Sequence, residues 1–331
     1  MRTTVSSAVL PIYRYLLVIG LFFLSTAFKK EDTGIRAVYD LIERVTPGYG
    51  KQFVLEQIPA GTDGQDVYEI GGKKGKVILR GNNPVSLATA YNQYLKYTCG
   101  AHVSWFGDQL NLPKKLPAPV ESQKGMHVIN GKYRVYMNYC TFSYTAPWWD
   151  WKRWEEELDW MALHGINLPL AAVGHECVWR NLLLRLGFSK QQINDFIAGP
   201  AFLAWWEMNN LEGWGGPNPD NWYKQQEDLQ KKILKRMKEW GMHPVLPGYS
   251  GMIPSKLDLG KRIDGGKEEK TLSNISSESA QSTLNKWNGF DRPGILLPDD
   301  PKFTQIASLF YEETEKLYGT SDYYSIDPFH E

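Results

Sequence analysis

Apolar and polar positions alternate in two different ways along this chain. In the first third, three short runs stand out: FVLEQI at 53–58, DVYEI at 66–70 and KVILR at 76–80. The turns Gly61-Thr62-Asp63-Gly64 and Gly71-Gly72 separate them, and short runs bounded by glycine predict strands. A helical pattern precedes them at 35–45. A second helix runs to Tyr97 from Pro84, since proline suits the first helical turn. Together they predict a small α+β domain of about one hundred residues. The Pro- and Lys-rich segment PKKLPAPVESQ, 113–123, reads as the linker that follows.

After the linker the period lengthens. RVYMNYC, 134–140, predicts a strand. In DWKRWEEELDWMALHG, Trp151, Trp154, Leu158 and Met161 fall at helical spacing, with Gly165 as the stop. INLPLAAV, 166–173, is apolar but for Asn167 and predicts a buried strand. NWYKQQEDLQKKILKRMKEWG places Leu229, Ile233, Met237 and Trp240 on one helix face and ends at Gly241; HPVLPGY, 243–249, is the next strand. PKFTQIASLFYEETEKLYG repeats the pattern with Phe303, Ile306, Phe310 and Leu317, and YYSIDPF, 323–329, closes the series.

Strands apolar on both faces and alternating with amphipathic helices imply a parallel sheet built from right-handed βαβ units. A doubly wound sheet and a (β/α)8 barrel both fit. Helix-to-strand connections are short, whereas those after Val173 and Tyr249 are long, roughly fifty residues. The first of these contains a helix near His175 and another capped by Ser189 with Gln192 in capping-box spacing. Long loops at the carboxyl ends of strands are how a barrel builds its site. No G-x-G-x-x-G follows a strand, which removes the main support for a dinucleotide fold. The expected class is α/β: a small N-terminal α+β domain at 28–124, then the first half of a (β/α)8 TIM-type barrel at 125–331, truncated.

Residues 1–27 fall outside both domains. Arg2 and Arg14 precede the apolar run YLLVIGLFFL, 15–24, and Ser25-Thr26-Ala27 follow. Ten apolar residues are too few to cross a bilayer, so the segment reads as a secretory leader, with an uncleaved anchor as the alternative. An exported protein without a stable membrane span is expected, in a periplasmic, extracellular or lysosome-like compartment. Cys99, Cys140 and Cys177 make an odd count, so at least one thiol stays unpaired. The 37 basic and 37 acidic residues cancel, which excludes the basic surplus of a nucleic-acid protein.

In a barrel the strand exits share one rim. Asn138 to Tyr144, Gly174-His175-Glu176, Gly248 to Gly251, and His330-Glu331 would then meet in one polar, aromatic-walled pocket with two carboxylates. Aromatic rings match the C–H faces of sugars; amides, imidazoles and carboxylates match the hydroxyls. Trp214, among the glycines of GWGGP, lacks periodic neighbours and is a candidate wall. Trp151, Trp154 and Trp240 lie on helix stripes and belong to the core, while Trp148, Trp149, Trp205 and Trp206 fit either role. Glycosidic cleavage needs two carboxylates. Glu331 can be the proton donor. Glu176 opens a helix, where an acid is favoured in any case, and suits gripping a hydroxyl better than attacking carbon. His175-Glu176 has no second histidine four residues on, and no other metal-ligand spacing occurs, so neither metal nor cofactor is expected. Cys140 has no base beside it in sequence and reads as a small wall residue. G-x-S-x-G is missing around Ser143.

The strings NYCTFSYTAPWWDWKRWEEELDWMALHGINLPLA, AGPAFLAWWEMNNLEGWGGPNP and GMHPVLPGYSGMIP, in this order, resemble the alpha-N-acetylglucosaminidases of glycoside hydrolase family 89 from about Tyr133 to Glu331. The resemblance implies a small N-terminal domain, a barrel and a helical C-terminal domain. It also implies release of terminal alpha-linked N-acetylglucosamine with retention. It assigns the acid/base to Glu331 and the sugar pocket to Asn138, Cys140, Tyr144 and Trp214. Glu176 matches a Gln-Glu motif whose first position is His175 here, and His330 stands where other members have asparagine. The family's nucleophilic glutamate belongs to a later strand, beyond this chain. The expected partner is therefore a glycan with terminal alpha-linked N-acetylglucosamine. The alternative is an exported sugar-binding module that uses the same aromatic rim without turnover.

Overall fold

The computed structural model describes residues 33–255 and 286–327. The leader expected at 1–27 lies outside the described residues. The first unit follows its sequence pattern: α1 (Thr33–Val45), β1 (Phe53–Gln57), β2 (Val67–Lys73), β3 (Lys76–Gly81) and α2 (Pro84–Thr98). Asn83 caps α2 by accepting from the Ser86 amide at 2.8 Å, and Pro84 occupies the first turn, where no N–H is needed. β1 lies parallel to β3, with Phe53 beside Val77 and Leu55 beside Leu79, and β2 pairs antiparallel with β3. Phe53, Leu55, Val77 and Leu79 are buried in one core with Leu41, Tyr91 and Leu95 of the two helices.

The sheet does not end at the expected boundary after residue 124. β4 (Gly125–Val128) is its fourth strand, antiparallel to β2 with Val67 opposite Val128. The segment at 113–123 is a strap on this domain. Leu116 is buried, its amide donates to the Gln52 side chain at 3.0 Å, and the Tyr94 hydroxyl donates to the Pro117 carbonyl at 2.7 Å. Proline and lysine composition marks a non-helical path here, and Leu116 anchors it.

Four parallel strands follow in sequence order. β5 (Val135–Tyr136) pairs with β6 (Leu168–Pro169). Leu170, just past β6, bridges in parallel to Val245 of β7 (Val245–Pro247), and β7 pairs with β8 (Tyr323–Ser325). The helices between them are α4 (Trp151–Leu163), α8 (Asp220–Trp240) and α9 (Pro301–Tyr318). Trp154, Leu158 and Met161 of α4, Ile233, Met237 and Trp240 of α8, and Ile306 and Phe310 of α9 are buried, as their spacing requires. Gly241 ends α8 in the left-handed conformation, at φ 68°. Parallel strands with helical crossovers are the wall of an α/β barrel.

Ladders are shorter than the apolar runs. Pro169 and Pro247 supply no N–H to their ladders. The strand expected over 134–140 stops at Tyr136. Met137 turns to φ 68°, and Asn138 caps the short helix α3 (Tyr139–Tyr144) instead of extending the strand. Asparagine competes for nearby backbone amides in this way, so it ends extended structure. The long connection after β6 holds α5 (His175–Arg185), α6 (Lys190–Phe196) and α7 (Leu203–Glu207). The capping box of Ser189 with Gln192 forms at the start of α6.

The small domain and the barrel share a core. Tyr91 and Leu95 of α2 belong to the same buried cluster as Trp154, Leu158 and Trp240. An ion pair crosses the same seam. Arg44 of α1 donates to both oxygens of Asp159 of α4, at 2.6 and 2.8 Å. The geometry is bidentate, the strongest form of this contact.

Candidate functional site at the strand exits

α3 begins where β5 ends. The Asn138 side-chain oxygen accepts from the Thr141 amide at 3.0 Å and from the Thr141 hydroxyl at 2.9 Å, which starts the helix. Residues 139 and 143, four apart, then face the same way. The Tyr139 hydroxyl donates to the Ser325 carbonyl at 3.1 Å, and the Ser143 hydroxyl oxygen accepts from the Ala204 amide at 2.9 Å. These two bonds tie α3 to β8 and to α7. Tyr144 is left 75% exposed, edge-on to Trp205 at 5.0 Å. Cys140 is half-buried, and none of the three cysteines forms a disulfide. Cys177 is buried and its thiol donates to the Tyr223 carbonyl at 3.2 Å; burial raises its pKa well above the ordinary value.

α5 begins where β6 ends. Gly174 precedes it at φ 70°, and the Tyr318 hydroxyl donates to the Gly174 carbonyl at 2.6 Å. A Cβ on Gly174 would lie 2.6 Å from that hydroxyl, so glycine is needed on both counts. His175 and Glu176 then occupy the first turn and are both buried. Trp222 Nε1 donates to Glu176 Oε1 at 2.8 Å. Burial pushes the Glu176 carboxyl up to about 7; Glu207 adds to the rise, while the helix amide and Trp222 oppose it.

Glu207, at the end of α7, is the site residue that the sequence did not point to. Its Oε1 lies 3.1 Å from His175 Nδ1, an ion-pair distance without hydrogen-bond alignment. Glu207 Oε2 and His175 Nε2 are buried and have no hydrogen-bond partner among the described residues. No periodicity marks Glu207 in AWWEMNN; the one available sign is a carboxylate among two tryptophans and a methionine. Glu176 and Glu207 line a cavity of about 40 Å³ with Tyr139, Ser143, Trp222 and Gln226. That volume admits water and not a pyranose.

Outside the cavity runs a continuous line of rings. Tyr144 meets Trp205, Trp205 meets Phe202 at 6.3 Å, Phe202 meets Trp214 at 6.3 Å, and Trp214 meets Phe290 at 4.8 Å. Trp214 is 49% exposed. Trp214, expected to be an aromatic wall, and Tyr144, which the resemblance assigns to the sugar pocket, therefore lie on one strip. Trp148 is also exposed, edge-on to Trp222 at 5.7 Å. Trp206 is fully buried and Trp149 packs edge-on to Trp154, so both serve the core.

The structure thus brings Cys140 and Tyr144 onto one short helix capped by Asn138, and His175 and Glu176 onto the first turn of another, with Tyr144 joined to Trp214 by edge-on and tilted rings. Glu176 is closed off by Trp222, and His175 by Glu207 and Phe310, so neither presents itself to solvent. His330 and Glu331 lie outside the described residues. Among the described residues, no group of three His, Cys, Asp or Glu could hold a metal ion, and no helix is long and apolar enough to cross a membrane.

Residues 134–331 match the family model described as the alpha-N-acetylglucosaminidase tim-barrel domain, and residues 36–118 match the corresponding N-terminal domain. The human alpha-N-acetylglucosaminidase is 38% identical over 308 residues, covering 91% of this chain and 39% of that protein. A Clostridium perfringens GH89 structure in complex with its substrate GlcNAc-alpha-1,4-galactose is 32% identical, with a TM-score of 0.79, over 96% of this chain and 34% of that one. A family 89 glycoside hydrolase of the same organism in complex with 2-acetamido-1,2-dideoxynojirmycin is 33% identical, with a TM-score of 0.80, over 95% and 34%. This chain accordingly spans little more than a third of the length of these relatives.

Proposed function

The chain belongs to the alpha-N-acetylglucosaminidase family, and from that premise we propose that the complete protein is an exported retaining glycosidase. Its substrate is a glycan or glycosaminoglycan ending in alpha-linked N-acetylglucosamine. The observation that carries the reading is the likeness, over 96% of this chain, to a protein held with GlcNAc-alpha-1,4-galactose. The aromatic strip at the strand exits supports it, because its open rings offer flat apolar faces to a pyranose.

In this reading Glu331 is the general acid/base. It protonates the departing glycosidic oxygen, then takes a proton from the water that releases the sugar. A second glutamate, from outside these 331 residues, attacks the anomeric carbon and holds the glycosyl intermediate. Retention requires the two carboxyl groups to stand about 5 Å apart. Tyr144 and Trp214 are the aromatic site residues open enough to touch the sugar, with exposed Asn138 and half-buried Cys140 on the same short segment as Tyr144; His330 is assigned to the pocket by the resemblance. His175 and Glu176 stiffen the wall from behind.

The test is hydrolysis of methyl and aryl alpha-N-acetylglucosaminides by the complete protein and by its Glu331→Gln variant. Loss of a general acid lowers the rate on the order of 10²–10⁴-fold, and most on the methyl glycoside, whose leaving group depends on protonation. Equal rates for wild type and variant would remove Glu331 from the mechanism. No hydrolysis of either compound by the wild type would remove the glycosidase reading.

A further inference from the structure

Three titratable side chains meet behind the strand exits, all shut off from solvent. His175 and Glu176 open α5, and Glu207 closes α7. Glu207 Oε1 is 3.1 Å from His175 Nδ1, and the two carboxylates share the cavity of about 40 Å³. Among the described residues, neither a lysine nor an arginine lines that cavity. Two carboxylates in one buried space cannot both carry charge cheaply without a cation beside them. His175 is the contacting group that can supply one, and only while it is protonated. It stands where the family motif has glutamine, which carries no charge at any pH.

The elements packed around the trio supply no replacement for that charge. α3 presents Tyr139, whose hydroxyl donates to the Ser325 carbonyl. α8 presents Gln226 and Trp222, and Trp222 Nε1 donates to Glu176. α9 presents Phe310, edge-on to His175 at 5.3 Å, and Tyr318, whose hydroxyl donates to the Gly174 carbonyl. On α5 itself, the Cys177 thiol donates to the Tyr223 carbonyl, and Arg180 is paired with Asp220 at 2.8 Å. Farther out, the Glu227 charge acts on Tyr318 and the Asp327 charge on Tyr139, so both add to the negative side. Burial, with Glu207 adding to it, raises the Glu176 carboxyl to about 7. The second negative charge therefore enters the cavity only near neutrality.

α7 is also tied to the strand exits. Its Ala204 amide donates to Ser143 Oγ of α3 at 2.9 Å, and Tyr139 of α3 donates to Ser325 of β8 at 3.1 Å. Ser325 lies six residues before Glu331 in the chain. A shift of Glu207 is thus passed through two short helices to the strand that leads to the acid/base.

We propose that His175 and Glu207 are positioning residues that work as a proton-dependent latch. With the imidazole protonated, the ion pair holds α7 against α5 and keeps the strand exits set for the sugar. Loss of that proton leaves two carboxylates around one cavity, and α7 loosens. The inference rests on the glycosidase reading and deepens it, because sugar affinity then falls with rising pH through this pair.

The test uses the complete protein carrying Glu331→Gln as the parent, so that the acid/base itself does not titrate. Calorimetry follows binding of methyl alpha-N-acetylglucosaminide between pH 5.5 and pH 8. The latch predicts a Kd about tenfold higher at the upper pH, the effect of one unit of differential proton affinity. Adding Glu207→Gln or His175→Gln should cut that ratio to about threefold or less, on the same scale. A merely structural role would weaken binding alike at every pH. Thermal midpoints check folding, and His175→Gln keeps the test open if Glu207→Gln does not fold. A parent whose affinity ignores pH, or variants that keep the tenfold ratio, would overturn the latch and leave the glycosidase reading intact. If the wild type hydrolyses no alpha-N-acetylglucosaminide and the parent binds none, that reading falls. Hydrogen exchange then decides the latch separately. After correction for intrinsic rates, the amides of 203–207 should exchange about tenfold faster at pH 8 than at pH 5.5 in the parent and not in the variants; equal exchange at both pH values overturns it.

Discussion

Glu207 Oε1 stands 3.1 Å from His175 Nδ1, with both side chains shut off from solvent. One closes the five-residue α7 and the other opens α5, so the contact pins two distant parts of the long connection after β6 to each other. Glu207→Leu would strand the imidazole among apolar groups, and a buried polar group without a partner costs about 1–3 kcal/mol. Glu207→Gln keeps a polar group of the same shape beside the imidazole and should lose less than half of that. Urea unfolding midpoints of the two variants check the order; a leucine variant as stable as wild type would count against the pinning role.

Glu176 makes stability depend on pH. Its folded pKa is about 7 against an ordinary 4.5, chiefly because burial penalises the carboxylate. Between those values the native chain holds a proton that the unfolded chain has released. This contribution is therefore complete below pH 4.5 and is lost as pH rises towards 7. The total change is about 3 kcal/mol. Glu176→Gln keeps an acceptor for Trp222 and should flatten the profile across that window. Measuring unfolding free energy at half-unit pH steps for both proteins would show the difference; parallel profiles would contradict it.

The Arg44–Asp159 pair should show strong coupling. Asp159 is largely buried, and burial raises its pKa despite the opposing pull of Arg44 and Arg236. Arg44→Met leaves that carboxyl facing a lost partner, a change of about 3 kcal/mol for a buried pair. Adding Asp159→Asn should recover part of the loss. A double-mutant cycle read by denaturant unfolding measures the coupling; additive losses would mean that the pair does not join the two domains.

Gly215 and Gly48 form a matched pair of tests. Both are left-handed, at φ +71° and +82°, but a Cβ at Gly215 would come within 2.6 Å of the Phe202 ring, whereas Gly48 has open space. Gly48→Ala should cost only the conformational term, about 1–2 kcal/mol. Gly215→Ala should cost that much plus the displacement of Phe202. It should also weaken sugar binding, because Phe202 supports Trp214. Thermal midpoints and saccharide titrations of both variants separate the two effects.

Much of the architecture is legible in the pattern of residues. The helix faces of α4, α8 and α9 follow from their apolar spacing, and the Ser189–Gln192 capping box from four letters. Other features depend on competition that the pattern does not show. At 134–140 a strand-like run loses to the Asn138 cap, because its side chain accepts from the Thr141 amide and starts a helix there. Glu207 is hidden because its partner, His175, is thirty-two residues away and meets it only once the loop has folded back. Trp214 is legible as a candidate from its glycine neighbours and Tyr144 from the family resemblance, and the rings that join them are not.

β4 lends its neighbours a property that neither has alone. It zips onto Val67–Ile70 of the small sheet, and after Val128 only six residues intervene before the first barrel strand begins. A protein engineer who cut the gene between codons 124 and 125 would tear a strand from one unit and append it, unpaired, to the other. The first product would carry the open edge of β2 and the second a dangling tail, each a template for sticking to other chains. A cut in the loop at 129–134, by contrast, would keep the sheet whole, although it would still part the shared core, the Arg44–Asp159 pair and the Arg134–Asp66 tether.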